Sequence, residues 1–329
     1  MSTLKDVALQ AGVSIATASR ILNNLDTAKN NSTRQRVEKA AKQLNYTPNL
    51  AARGLANGAT STVGVVFGPS DGQVSGNDFG LKALFGIQSK LSKLNYASTV
   101  VSGKNWTEVY QNVRSAVEGL KVRSFILLYT LVDDPVSQYL DEQGVKYVVI
   151  GEPDTFTDRM YVDSDNQLAG YQGAQILINQ LGVKKPLFIS SAQGLKFETN
   201  RRGGYKSFLE SKGIDYQEIL VAPDAHIAIP AINYYVNEFG SSFDGIFATD
   251  DRLGFALFEA YLVAFNKQLP TISFNDSDLA LIAGKNFHSF DVEPETLGAA
   301  AAELLFSNNG QTAKIQRIII QAKAPEIEN

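Results

Sequence analysis

The sequence predicts a small all-α head followed by a larger α/β body of two lobes, each built on a parallel sheet. Three observations carry that reading. The first sixty residues hold helix-capping signals and apolar stripes of helical period, with no strand-like run. From Thr62 onward, short apolar runs alternate with amphipathic stretches. That alternation pauses and begins again after Asp163, so one lobe does not accommodate it.

In the head, Thr3 and Asp6 form a capping box before Leu4, Val7, Ala8 and Ala11, the buried face of a short helix. Gly12 can take the positive φ of a tight turn, Val13 points back inward, and Ser14 caps a second helix. There Ala18, Ile21 and Leu22 share one face, so Ile15, Ala16, Ser19 and Arg20 project from the other. A second capping signal at Ser32-Thr33-Arg34-Gln35 opens a third helix with Val37, Ala40, Ala41 and Leu44 on its inner stripe. Two helices across a glycine turn, braced by a third, make the helix-turn-helix plan.

The exposed face suits DNA. Arg20 can bond a guanine edge bidentately, while Ile15 and Ala16 can meet thymine methyls. Ser14, Thr17 and Ser19, with Thr3 at the start of the first helix, offer short hydroxyls for phosphate oxygens, which position the head without reading sequence. A three-helix bundle with an ordinary solvated face is the competing reading of the same pattern.

Charge agrees with the division. Lys5, Arg20, Lys29, Arg34, Arg36, Lys39, Lys42 and Arg53 against Asp6, Asp26 and Glu38 give residues 1–60 a net +5. The chain totals −4, which leaves −9 for the remainder. A basic head on an acidic body fits a protein that presents only its head to a polyanion.

Composition removes several classes. With no cysteine, disulfides and thiolate zinc sites are excluded, and His226 and His288 have no metal-ligand spacing, so neither cofactor nor metal is expected. No apolar run approaches the ~20 residues of a membrane span. The polar Met1–Asp6 stretch is no secretory leader, so a cytoplasmic, nucleoid-associated protein is expected.

In the body, strands are read at Val63–Phe67, Ala97–Val101, Phe125–Tyr129 and Tyr147–Ile150, with helical stretches between them such as Leu84, Ile87, Gln88, Leu91 and Leu94. After Asp163 come helix Ala169–Leu181, strand Pro186–Ser190, helix Gly204–Ser211, strand Ile219–Val221 and helix Ile229–Phe239. Strand Gly245–Ala248, helix Leu253–Phe265, strand Ile272–Phe274, helix Glu295–Phe306 and strand Ile315–Gln321 complete it. Open parallel sheets bind ligands at the carboxyl ends of their strands, so a cleft between lobes follows from the pattern alone.

Several motifs in one order carry a resemblance: Leu4-Lys5-Asp6-Val7-Ala8, Ala11-Gly12-Val13-Ser14, Ala16-Thr17-Ala18-Ser19-Arg20-Ile21-Leu22-Asn23, Tyr46-Thr47-Pro48-Asn49 and Ala52-Arg53-Gly54-Leu55-Ala56. The chain resembles the LacI/GalR family of bacterial repressors, closely through the head and more weakly to about residue 320. The resemblance implies a homodimer on a roughly palindromic double-stranded operator. It also implies a hinge that becomes helical on DNA, with Asn49, Ala52 and Ala56 in it and Leu55 wedged into the central base step from the minor groove.

For the body the resemblance implies the two-lobed, periplasmic-binding-protein-like (type I) architecture, crossed three times by the chain near Tyr161–Asp163, His288–Asp291 and Ile320–Gln321. The expected organisation is a head over 1–47, a hinge over 48–60 and a body over 61–329. The N-lobe would take about 61–162 and 290–320, and the C-lobe about 163–289. Arg201, three places before Gly204-Tyr205, matches the family's effector-binding arginine, whose guanidinium fork can grip vicinal hydroxyls. Asn275 stands where an acid is usual, and Thr249 matches a ligand-facing position. Asp165, with its neighbours Asp163 and Asn166, can bond a sugar or cap a helix. Phe79, Tyr129 and Phe197, like Trp106, lie at strand ends where aromatic rings can stack on sugar C–H faces. Phe125–Tyr129, Asp133-Asp134-Pro135, Gly151-Glu152, Val162–Asn166 and Ser273-Phe274-Asn275 look most like maltose-type repressors of Gram-positive bacteria, which implies maltose or a short α-glucoside as effector.

Three rival readings compete with this one. An enzyme lacks support, because the first strand is followed by neither a glycine-rich phosphate fingerprint nor a Walker lysine. An exported sugar-binding protein conflicts with the basic head. A global catabolite regulator with a protein co-regulator shares Arg53-Gly54-Leu55-Ala56.

Overall fold

The computed structural model describes residues 2–22, 31–46, 61–69, 78–129, 131, 133–153, 159–307 and 317–327. The chain forms two compact units, Met1–Ser61 and Thr62–Asn329.

The first unit has helices α1 (Leu4–Ala11), α2 (Ile15–Leu22) and α3 (Asn31–Gln43). The Thr3 hydroxyl accepts from the Asp6 amide at 3.3 Å and the Asp6 carboxylate accepts from the Thr3 amide at 2.8 Å, satisfying two donors that the first turn leaves open. Gly12 ends α1 at φ 64°, a left-handed conformation that costs glycine nothing. The Ser14 hydroxyl then accepts the Thr17 amide at 3.1 Å to start α2. Val7, Ala8, Ala11, Ala18, Ile21, Val37, Ala40 and Ala41 are buried together as its core.

In the second unit, the first lobe carries a six-stranded sheet in the order β11-β5-β4-β3-β1-β2. Its strands are β1 (Thr62–Val66), β2 (Ala97–Val101), β3 (Ser124–Leu127), β4 (Lys146–Ile150), β5 (Met160–Ser164) and β11 (Arg317–Ile320). Helices α4 (Asp78–Lys93), α5 (Trp106–Glu118), α6 (Pro135–Glu142) and α12 (Pro294–Phe306) belong to this lobe. The second lobe carries the five-stranded order β10-β9-β8-β6-β7. Its strands are β6 (Pro186–Ser191), β7 (Gln217–Val221), β8 (Gly245–Ala248), β9 (Thr271–Phe274) and β10 (Phe287–Phe290). Around them lie α7 (Asn166–Gln175), α8 (Lys196–Lys212), α9 (Ala225–Phe239), α10 (Asp251–Phe265) and α11 (Asp278–Ala283). Every pairing between named strands is parallel.

Both sheets are covered on two faces, and the alternation of side chains sorts each strand between two cores. Leu187 and Ile189 of β6 enter one core while Phe188 between them enters the other. Val63 and Val65 of β1 likewise part from Val66. Fully buried Phe125, Phe188, Phe247, Phe274 and Phe290 each contribute roughly 1.5–3 kcal/mol by leaving water.

The structure corrects several element boundaries. Tyr161–Asp163 and His288–Asp291, near which the resemblance places two lobe crossings, fall in or at the end of full sheet strands, Met160–Ser164 and Phe287–Phe290. The crossings follow them directly, because β5 ends in the first lobe's sheet while α7 packs on α8, and β10 ends in the second while α12 packs on α4. A third passage follows β11, after which Ala322 joins the second lobe's core. Helix α8 starts eight residues before Gly204, at Lys196. Glu198 caps that earlier start by accepting the Leu195 amide at 2.9 Å. Helices α5 and α6, which fill the helical stretches expected between the first lobe's strands, are opened by the side chains of Asn105 and Asp134.

Candidate ligand cleft and DNA-facing helix

Among the described residues, side-chain bonds link the lobes across the carboxyl edges of the sheets. The Asn200 amide nitrogen donates to Glu152 Oε2 at 2.8 Å, and Lys82 Nζ donates to the Asp276 carbonyl at 3.1 Å. Phe79, at the start of α4, packs against a core cluster of each lobe. The strand ends of the two sheets therefore confront one another, the arrangement in which open parallel sheets hold ligands.

Arg201 stands at the centre of this junction. It projects from the second turn of α8 and is only 4% exposed. Its Nε donates to Asn166 Oδ1 at 2.9 Å and its Nη1 to the Thr249 carbonyl at 2.5 Å. The guanidinium lies 4.3 Å over the Phe274 ring and 5.0 Å from the Phe197 ring. Phe197 thus supports Arg201 through its π face. Burial lowers the Arg201 pKa to about 10, opposed by Asp163, Asp250, Glu198 and Asp251 around it.

Asn166 connects that arginine to the first crossing, because its Nδ2 donates to Asp163 Oδ1 at 3.1 Å and to the Ser164 carbonyl at 3.2 Å. Asp163 also accepts the Ser164 amide at 2.8 Å and the Glu152 amide at 2.9 Å. Its neighbour Asp165 instead caps α7 by accepting the Leu168 amide at 2.9 Å. Of the three polar residues that sequence leaves open at this crossing, Asn166 holds the arginine, Asp163 holds Asn166 and Asp165 caps the helix.

Burial drives the Asp163 carboxyl up to about 6 and raises Glu198 and Asp251 as well. A carboxyl raised on folding keeps its proton where the unfolded chain has lost its own. Its contribution to stability is therefore present at low pH and declines as pH rises, for Asp163 between about 4 and 6. Thermal unfolding followed across that window is expected to show the body losing stability from these groups as pH rises. In Asp163→Asn the Asp163 part of that slope should be gone.

Thr249 closes β8, with Oγ1 donating to Ser190 Oγ at 3.2 Å, and Asp250 behind it caps α10 through the Leu253 amide at 3.0 Å. Beyond β9, Asn275 and Asp276 take φ of 108° and 44°, left-handed values that Asn and Asp tolerate better than most residues. The pair is held in place because the Asn275 amide donates to the Phe290 carbonyl at 2.9 Å and the Asp276 amide to Ser289 Oγ at 2.9 Å. Ser289 in turn donates to Asp251 at 2.7 Å, and Ser277 donates to the other Asp251 oxygen through Oγ and its amide, each at 2.8 Å.

On the first lobe, the Tyr129 ring packs 4.7 Å from Trp106, whose indole also lies against Gly68. The Tyr129 hydroxyl is 3.3 Å from both Asp134 oxygens, and burial pushes its pKa far up. Sequence reasoning missed Phe274 beneath the arginine, the Glu152–Asn200 bond and the serine ring about Asp251. None has a sequence spacing that announces it, since each joins separate strand ends.

In the head, Ile15, Ala16 and Arg20 are exposed on the outer face of α2. Ser14 and Thr17 bond each other, hydroxyl to hydroxyl, at 2.9 Å, and the Thr3 hydroxyl donates to Asp6 at 2.7 Å. Ser19 lies half-buried on the same helix. Asn49, Ala52, Leu55 and Ala56 lie outside the described residues.

Residues 3–49 match the model of the bacterial regulatory proteins of the lacI family. Over 331 residues the chain is 30% identical to the HTH-type transcriptional regulator CelR of Thermobifida fusca, covering 97% of this chain and 95% of that one. It is 29% identical to the HTH-type transcriptional regulator MalR of Staphylococcus xylosus, covering 92% and 90%. Among solved structures, a CelR–cellobiose complex superposes with a TM-score of 0.69 at 26% identity over 98% of both chains. A lac repressor dimer bound to operator and the anti-inducer ONPF shares the fold, with a TM-score of 0.76 at 18% identity over 99% and 98%. With its helix-turn-helix head, its two-lobed body and a full-length relative at that identity, the chain belongs to the LacI family of bacterial regulatory proteins.

Proposed function

We propose that the chain is a sugar-responsive repressor. Its head reads one half-site of a palindromic operator, and a sugar bound between the lobes of the body releases it. The observation that carries this reading is the buried guanidinium of Arg201, held rigidly at the lobe junction of a chain whose other end is a DNA-reading head. Thr249, Asn275 and Asn166 surround it with neutral polar groups of the kind that orient sugar hydroxyls. Tyr129, Phe79 and Phe197 give the cleft aromatic faces, with Asp165 at its edge. A relative of similar length was solved with cellobiose bound, which supports a short gluco-oligosaccharide, maltose or a near relation, as effector.

The dimer would form through the outer faces of both lobes. Leu81 and Phe85 on α4 and Leu281 and Ile282 on α11 are exposed apolar side chains that a second copy would cover. Each head, over 1–47, would read with Ile15, Ala16 and Arg20 and settle on phosphates with Thr3, Ser14, Thr17 and Ser19. The hinge, over 48–60, would insert Leu55 into the minor groove, supported by Asn49, Ala52 and Ala56. Sugar and operator oppose each other by one coupling free energy, so DNA must weaken sugar binding by the factor that sugar weakens DNA binding.

No catalytic role is assigned. Asp134 and Asp250, from the acidic pairs most suggestive of acid–base chemistry, are spent as helix caps. Among the described residues no helix is long and apolar enough to cross a membrane, and a regulator of this kind works on the nucleoid in the cytoplasm.

Gel shifts on a selected operator, with and without maltose and cellobiose, test the whole reading. Arg20→Ala should lower discrimination at its base pair by about 1–3 kcal/mol, the worth of one bidentate base contact. Leu55→Ala should weaken specific binding while leaving the unfolding of the body unchanged. Operator affinity that ignores every sugar tried and both substitutions would sink the proposal.

A further inference from the structure

We infer that the cleft selects an uncharged carbohydrate and turns away phosphorylated and carboxylated sugars, with the acidic loops at the strand ends acting as an anion-excluding rim. This deepens the sugar-binding reading and rests on it.

The first support is the charge at the centre. Arg201 is the one buried cation among the described residues. The carboxylates of Asp163, Asp250, Glu198 and Asp251 surround it, and all four are buried as well. Its two hydrogen bonds described above run to neutral oxygens, the Asn166 amide and the Thr249 carbonyl. A phosphate dianion is bound by guanidinium forks or ammonium groups that exceed the nearby negative charge. Asp250 also pairs with Arg252 at 3.9 Å, but Asp163, Glu198 and Asp251 still outnumber the one buried cation, so an anion entering the centre meets net repulsion strengthened by the low local dielectric. Hydroxyl groups meet no such penalty and can use Asn and Thr as donor and acceptor alike.

The second support is the rim. Among the described residues of the loops that lead from a strand into a helix in the two lobes, all but those after β1, β2 and β6 contain a carboxylate, and Lys104 is the only cation in any of them. Some of these acids have a plain structural use: Asp134, Asp165, Asp224 and Asp250 cap helices, and the amide donors they meet offset part of their charge. Asp133 and Asp276 cap nothing. Each is exposed, one on each lobe, and each is fixed by a left-handed backbone at φ 51° and 44°. The rim cation Lys82 is already engaged by the Asp276 carbonyl. Arg252, at the start of α10, pairs with the Asp250 carboxylate at 3.9 Å.

The test is calorimetric titration of the intact chain at low salt with maltose and cellobiose, with the 6-phosphate of each, and with an amino-sugar analogue. At least one neutral disaccharide should bind, with its phosphate about thirty-fold weaker or worse. Raising the ionic strength should narrow that gap, because salt screens an exposed rim. The double substitution Asp133→Asn, Asp276→Asn should narrow it too, and asparagine suits the same backbone conformation. A phosphorylated sugar that binds as tightly as its parent overturns the inference. So does a gap indifferent to both salt and the double substitution, which would mark simple steric exclusion. An amino sugar preferred tenfold over its neutral parent overturns the uncharged assignment. If neither neutral nor charged sugars bind, the sugar-binding reading itself fails and this inference falls with it.

Discussion

Arg201→Ala is expected to abolish the sugar response while operator binding survives. Charge-assisted hydrogen bonds to a ligand are each worth roughly 1.5–3 kcal/mol, so losing the guanidinium should weaken sugar binding about 100-fold or more. The change also has an internal consequence. Arg201 is the buried cation among the carboxyls of Asp163, Asp250, Glu198 and Asp251, and it holds Asn166 and the Thr249 carbonyl. Removing one member of a buried charge cluster leaves the others uncompensated, at a cost of about 3–5 kcal/mol where no water enters. The carboxyls already raised by burial would rise further, moving the loss of stability with pH to higher pH. Arg201→Lys should restore charge but not the planar fork, recovering stability more than affinity. Unchanged release of operator by sugar in Arg201→Ala would show that the ligand lies elsewhere.

The second large effect is expected at Gly204, where α7 and α8 cross with their backbones in contact. A methyl at Gly204 would overlap the Gln167 carbonyl oxygen, and one at Gly170 would overlap the carbonyl oxygen of Arg201 itself. The obstacle in each case is main chain, which cannot swing aside like a side chain. Gly204→Ala is therefore expected to cost at least about 3 kcal/mol, the upper part of the range for overpacking. For a domain of this size that lowers the melting temperature by roughly 6 °C or more. Forcing the helices apart also displaces Arg201 from Asn166, so sugar affinity should fall together with stability. The adjacent Gly203 is the internal control. A methyl there meets nothing within 4 Å, and Gly203→Ala should stabilise the helix by roughly 0.5–1 kcal/mol through propensity alone. Equal behaviour of the two substitutions in thermal unfolding would refute the close-contact argument.

These two residues mark the limits of what can be read from the sequence. Arg201 is identifiable because it sits three places before a Gly-Tyr pair in a recognisable order. Nothing in that order says that Asn166 and Thr249 hold it, because those partners lie 35 and 48 residues away. Gly204 reads as the first residue of a helix, with Gly203 just before it. In the structure both are inside α8, Gly203 in open space and Gly204 against another helix. Asp163, Asp165 and Asn166 are indistinguishable in sequence as caps or ligand contacts, since all are short, polar and beside a helix start. The fold separates them: Asp163 is the buried last-but-one residue of β5, Asp165 is at the cap and Asn166 bonds to Arg201 of α8.

Sequence alone suffices for the helix-turn-helix plan, the two parallel α/β lobes and the basic head on an acidic body. Each of these is local, set by capping residues, apolar periods of 3.6 and 2, or a count of charges. Packing settles which loops from distant strands meet, and so which carboxylates surround Arg201, which lobe-to-lobe bonds form and which glycines bring helices into contact. Those facts depend on segments far apart in the chain, and no periodicity records them.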